Sequence, residues 1–286
     1  MKVKRSERLI DMTHYLMEHP HTLIPLTVFA ERYESAKSSI SEDLTIVKNT
    51  FAKRGLGFLE TLPGAAGGVK YIPKMRAEDV DQFISDLCEE LNHSKRLLPG
   101  GYVYLSDMLG DPKWLRRIGR AIASKYMDKE VDSVMTVATK GVPIAQSVAF
   151  YLNVPFVIVR RDSKVTEGST VSINYVSGSA SDRVEKMELS RRSLDMGSKV
   201  LIVDDFLKGG GTVNGMISLI EEFNSEVVGS TVIAENLFNG ERSVKDYTSL
   251  VKIDKVDAQE RTIEVSPGNF SVETSEKEET QQLNAD

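Results

Sequence analysis

One run constrains this chain more than any other: Val200-Leu201-Ile202-Val203-Asp204-Asp205-Phe206-Leu207-Lys208-Gly209-Gly210-Gly211-Thr212. Its continuous apolar start reads as a strand covered on both faces, which places it in a parallel sheet flanked by helices. That strand ends in two acids, and a glycine-rich turn then opens a helix. In an open α/β sheet, ligands bind beyond the carboxyl ends of the strands. The turn exposes N–H groups at a helix N-terminus, an arrangement suited to a phosphate, and Thr212 adds a hydroxyl. Adjacent carboxylates would repel that phosphate. Their natural partners are vicinal ribose hydroxyls, which donate charge-assisted hydrogen bonds. The ligand read from these residues is a 5-phosphoribosyl group; the alternative is an ordinary strand–turn–helix corner.

The surrounding pattern is α/β. Strands at 132–138, 154–159, 199–204 and 227–235 alternate with helices near 142–152 and 212–224. A polar, serine-rich insert at 160–192 reads as a long hairpin, 170–177 with 184–189. Upstream, Val80, Phe83, Ile84, Leu87 and Leu91 share one face of a helix at 77–92. The stretch from Leu97 to Gly101 breaks it, and Asp111-Pro112 caps another helix carrying Leu115, Ile118 and Ile122.

The first 74 residues follow a different plan. Leu9, Met12 and Leu16, with Ile10 and Met17, give helical spacing, and His19-Pro20 ends that helix. Pro25 suits the first turn of a second helix through Tyr33. Ser35 is the expected N-cap of a third, 36–53, with Ile40, Leu44, Val47 and Phe51 inward and Gly55 as its stop. Two short strands, 57–62 and 69–73, then flank a flexible tip, Pro63 to Gly68. Three helices and a hairpin form a winged helix-turn-helix. The expected domains are therefore 1–74, 75–270 and an acidic, disordered tail at 271–286.

Charge divides along the same line. Residues 1–74 hold 11 Lys/Arg and 8 Asp/Glu, a net of +3, while the whole chain stands at −6. A basic head on an acidic body suits a polyanion, although scattered surface charge would look similar. On the third helix Ser38, Ser41, Glu42, Thr45 and Lys48 face outward, where short hydroxyls meet base edges or phosphates. Lys37, Lys48, Lys70 on the wing, and Arg5 and Arg8 on the first helix are the candidate phosphate contacts. The alternative is the polar face of a small helical domain. The single cysteine, Cys88, excludes an internal disulfide. The first twenty residues lack a signal peptide's apolar run, and no stretch approaches the roughly 20 apolar residues of a membrane span. These features imply a soluble, cytoplasmic protein.

The run from Val200 to Thr212 resembles the phosphoribosyl pyrophosphate (PRPP) motif of type I phosphoribosyltransferases. The resemblance implies that Val137-Ala138-Thr139-Lys140-Gly141 meets the pyrophosphate through backbone amides and Lys140. It also implies that Arg160, Arg161 and Lys164 begin a loop closing over PRPP. Magnesium would arrive on the ligand's own oxygens, with no protein metal site. Gly209 stands where that family carries a small hydroxyl residue, and Lys208 is bulkier than the common residue there.

A wider resemblance reaches to about residue 270. The stretches Ala36 to Leu44, Pro63 to Val69, Leu98 to Tyr102 and Lys164 to Gly178 are similar to the purine operon repressors of low-GC Gram-positive bacteria. This implies a winged-helix, phosphoribosyltransferase-fold homodimer that binds operator DNA and senses PRPP. Some relatives activate instead, so the sign stays open. Two readings of the second domain stand: a sensor without catalytic residues, or an active purine phosphoribosyltransferase. Product formation from PRPP and a purine base separates them. Phe206 and Tyr102 are either two faces for a purine nucleotide competing with PRPP or packed core rings. A purely structural protein would explain the acidic tail but not the phosphate motif.

Overall fold

The computed structural model describes residues 3–64, 66–98, 102–162, 168–177, 183–257 and 259–273. The chain divides into two compact units, one mainly Met1–Val80 and the other mainly Asp81–Phe150 with Val154–Ser271.

The first unit holds α1 (Arg5–Glu18), α2 (Leu26–Arg32), α3 (Lys37–Arg54) and the antiparallel pair β1 (Phe58–Leu62) and β2 (Gly68–Ile72). Met12 and Leu16 of α1, Phe29 of α2, and Ile40, Leu44, Val47 and Phe51 of α3 meet Leu59, Val69 and Tyr71 in one core. Ile10 and Met17 belong to the other side of α1 and are exposed. Gly55 ends α3 in the left-handed conformation, φ 63°, as expected. Ser35 is not the N-cap of α3. Ala36 takes that position, and the Ser35 hydroxyl donates to the Tyr33 carbonyl instead. Pro25 precedes the first turn of α2 rather than lying in it. Ile24 exchanges two backbone hydrogen bonds with Val69, so the α1–α2 connection pairs with β2 through one antiparallel bridge. Gly68 permits this approach, since a Cβ there would lie 2.3 Å from the Ile24 carbonyl oxygen.

In the second unit a six-stranded sheet carries the architecture. Its elements are β5 (Ser133–Val137), β6 (Phe156–Val159), β9 (Lys199–Leu207), β10 (Glu226–Glu235), β11 (Thr248–Asp257) and β12 (Thr262–Pro267), in the order β12-β11-β10-β9-β5-β6. All neighbours are parallel except β11 and β12. The helices are α4 (Ala77–Leu91), which the division between units crosses, α5 (Ser106–Gly110), α6 (Pro112–Tyr126), α7 (Gly141–Leu152) and α8 (Gly211–Glu221). Asp111 caps α6 by accepting from the Lys113 N–H at 2.8 Å. Burial pushes the Cys88 thiol of α4 up to about 11, so it stays protonated and unreactive at neutral pH. A two-residue pair, β3 (Leu97–Leu98) and β4 (Tyr102–Val103), follows α4.

Two expectations change here. The insert is not simply polar. Its hairpin, β7 (Thr170–Ser177) with β8 (Arg183–Ser190), buries Val171, Tyr175, Met187 and Leu189 in the core shared with α8. Gly215 of α8 lets the hairpin close in, because a Cβ there would lie 3.0 Å from Met187 and Tyr175. Strand β9 also runs three residues beyond 204. β10 continues beside it, pairing Val232 with Asp204, Ala234 with Phe206 and Glu235 with Leu207. The two acids thus lie inside the ladder.

Candidate functional site

The two carboxylates follow one another on β9 and interact with each other, yet they differ in exposure. Asp204 is buried, 4% exposed, and its Oδ1 accepts the Asp205 N–H at 2.9 Å. Burial, reinforced by the Asp205 charge, raises the Asp204 pKa well above the usual carboxylate range, while the Arg161 charge opposes that rise. Asp205 is the more open acid, and its Oδ2 lies 3.9 Å from Lys140 Nζ. The turn from β5 into α7 carries Lys140 to this place. Gly141 makes the approach feasible, for a Cβ there would fall 1.9 Å from Thr136 Oγ1 and 3.1 Å from Asp204 Oδ1. Thr139 and Lys140 are exposed at that corner. Thr136 Oγ1 is buried there and has no hydrogen-bond partner among the described residues.

After β9 the chain turns through Lys208, Gly209 and Gly210 into α8. Gly210 is left-handed, φ 86°, and is the N-cap residue; a Cβ on it would strike Val244 at 2.6 Å. Among the described residues no backbone acceptor outside the helix takes the N–H groups of Gly209, Gly210, Gly211 or Thr212. Four consecutive free donors at a helix N-terminus are an arrangement suited to an anion.

The segment after β10 holds this turn from behind, and nothing in the linear pattern signals it. Arg242 donates to the Lys208 carbonyl at 3.0 Å, the Asn236 carbonyl at 2.9 Å and the Tyr247 hydroxyl at 2.7 Å, and pairs with Glu235 at 3.1 Å. The Ser243 N–H and hydroxyl both donate to the Gly209 carbonyl, at 2.9 and 3.0 Å.

The other expected contacts are less closely gathered. Arg160 exchanges backbone hydrogen bonds with Glu188, which fixes the start of the insert to β8. Arg161 pairs with Glu185 at 3.4 Å and lies within electrostatic reach of Asp204. Lys208 is exposed. Phe206 is half-buried, Tyr102 is 72% exposed, and the two rings do not touch. Lys164 and residues 163–167, Pro99 to Gly101, Ala65 at the hairpin tip and the tail from 274 lie outside the described residues. Among the described residues no group of three His, Cys, Asp or Glu side chains is placed to hold a metal, and no helix is long and apolar enough to cross a membrane.

In the first unit Lys37, Ser38 and Ser41 are exposed on α3. Lys48 is half-buried at a hollow of about 390 Å³ between α3 and the wing, shared with Ser41, Thr45, Asn49 and Thr61. Arg8 is not a phosphate clamp. It is 9% exposed, and its guanidinium holds Asp43 Oδ2 from Nε at 3.0 Å and from Nη2 at 2.8 Å. Asp43 is fully buried, so Arg8 neutralises an acid inside the head. Arg5 also reaches Asp43, at 2.8 Å, but stays half-exposed. Lys70 is paired with Glu60 across the wing at 2.8 Å.

Comparison with known proteins matches both units. The family model "Bacterial purine repressor, N-terminal" covers residues 4–73, and the phosphoribosyl transferase domain model covers residues 106–267. A purine biosynthesis transcriptional repressor of Bacillus subtilis is 58% identical over 270 residues, 94% of each chain. A probable purine biosynthesis transcriptional regulator of Streptococcus pneumoniae is 55% identical over 94% of this chain and 98% of its own. A purine biosynthesis transcriptional activator of Lactococcus lactis is 53% identical, again over 94% of this chain and 98% of its own.

Proposed function

This chain belongs to the family of bacterial purine biosynthesis transcriptional regulators, and from that premise we propose that its phosphoribosyltransferase-fold unit is a PRPP sensor controlling operator binding by the head. The observation that carries the proposal is the turn from Lys208 to Thr212: four unclaimed N–H donors following Asp204 and Asp205. The donors suit the 5-phosphate, and the acids suit the ribose hydroxyls. Lys140, Thr139 and Gly141 then stand where a pyrophosphate would lie, with Arg160, Arg161 and Lys208 supplying further positive charge. Magnesium would be carried by the ligand's own oxygens, because Asp204 is buried and Asp205 already faces Lys140. Lys37, Ser38, Ser41 and Lys48 on α3 read DNA, and Arg5 and the wing contact its backbone.

PRPP binding releases the DNA. Neutralising the cations around the pyrophosphate removes their attraction for DNA phosphates. A homodimer is the expected assembly, since one winged helix contacts too little DNA for selectivity and a two-fold pair reads two half-sites. Tyr102 and Phe206 are the candidate contacts for a purine nucleotide competing with PRPP. We read the unit as a sensor rather than an enzyme, because the relatives matching along its whole length are named as regulators. The name of the Lactococcus relative favours activation as the second reading of sign. In either case a DNA titration across a PRPP series is the test.

A further inference from the structure

The anion-binding turn has an independent support, and we propose that Arg242 is its positioning residue: by fixing the Lys208 carbonyl it aims the turn's N–H groups at the ligand's 5-phosphate. The inference rests on the phosphoribosyl reading of the site. Its geometry is that of the peptide group. In a trans peptide the carbonyl of one residue and the N–H of the next point in opposite directions. Arg242 Nε draws the Lys208 carbonyl toward the segment after β10, so the Gly209 N–H faces away from it. Ser243 does the same to the Gly209 carbonyl, with two donors, and so turns the Gly210 N–H outward. Val244 lies behind Gly210, within 2.6 Å of where a Cβ would stand. The turn is therefore fastened at two successive carbonyls from one side.

Arg242 is itself held. Its guanidinium reaches three acceptors besides Glu235: the carbonyls of Lys208 and Asn236 and the hydroxyl of Tyr247. Tyr247 in turn donates to Glu235 Oε2 at 2.5 Å. The Ser249 hydroxyl donates to the other Glu235 oxygen at 3.2 Å. Burial, then the hydrogen bond to Glu235, pushes the Tyr247 hydroxyl up to about 12, so it remains a donor at any working pH. Glu235 ends β10 and Tyr247 precedes β11, so the sheet itself anchors the guanidinium. Because Glu235 balances its charge, Arg242 acts by direction rather than by net attraction. A planar fork with several donors is suited to this, and a lysine ammonium on a flexible stem is not.

The test titrates the full-length protein with ribose 5-phosphate and, separately, with inorganic pyrophosphate, for wild type, Arg242→Lys and Tyr247→Phe. Arg242→Lys keeps the charge and loses the fork. It should weaken ribose 5-phosphate about tenfold, the scale of one misdirected phosphate hydrogen bond, and leave pyrophosphate within about twofold. Tyr247→Phe should move the same ligand in the same direction by less, with no need for Arg242 itself to be changed. Unaltered ribose 5-phosphate affinity in Arg242→Lys would overturn the proposal. So would an equal loss for both ligands with a lowered melting temperature, which marks a merely structural residue. If wild type does not bind ribose 5-phosphate, the phosphoribosyl reading falls as well, a failure distinct from either of these.

Discussion

Arg8 and Arg242 look alike in the sequence, each a cation in a polar setting, and the structure gives both to the protein's own oxygens. Arg8 closes a buried pair with Asp43 on α3. Removing one partner of such a pair leaves a charge without compensation; here Arg5 still covers Asp43 from its exposed side. Arg8→Ala should lower the stability of the head by up to about 3 kcal/mol in denaturant unfolding. The salt slope of DNA binding by the folded fraction should not change. A flattened slope with full stability would restore Arg8 as a phosphate contact.

Asp204 carries the other prediction at this scale. Its pKa is raised in the fold by burial and by Asp205, so the folded protein favours the protonated acid. The penalty is absent below the unfolded value of about 3.9 and grows as pH rises toward the folded one. Asp204→Asn removes the charge and keeps an oxygen for the Asp205 N–H. It should raise the melting temperature of the ligand-free protein at pH 8 and make no difference near pH 3. A gain of equal size at both pH values would show that the charge is not the cause.

Among the elements, α3 and the wing were legible because helical spacing, Gly55 and a hairpin around glycines are local signals. The buried strand and glycine turn were legible for the same reason. β11 and β12 were not anticipated. Lys252, Asp254 and Lys255 interrupt the apolar run of β11, and β12 is a short antiparallel strand whose place depends on its partner. The cluster of Glu235, Arg242, Ser243 and Tyr247 was equally hidden, since it forms only when the chain returns from β10 to β11. Strand β9 outran its expected end because β10 supplies the ladder past Asp204, information no window on β9 contains. On α3 the exposed Lys37 and the half-buried Lys48 should each account for about one phosphate. Their alanine variants should weaken binding to any DNA sequence and reduce the salt slope by about 0.9 each. Unchanged affinity and slope in both would remove α3 as the DNA-facing helix.

At the scale of the whole molecule, two family models on one chain pair a DNA-binding head with a phosphoribosyl transferase fold. Such an arrangement regulates only if ligand and DNA affect each other's affinity, and that coupling is reciprocal. A ligand that binds free and DNA-bound protein equally well shifts nothing. The decisive measurement is an operator titration at fixed salt, across a PRPP series, with wild type and the Asp204→Ala/Asp205→Ala double variant. Wild type should be released as PRPP rises. The double variant should bind operator at least as well without PRPP and fail to respond to it, having lost the ribose contacts. Release of the variant at the same PRPP concentration as wild type would contradict the account, as would wild-type binding that PRPP leaves unchanged.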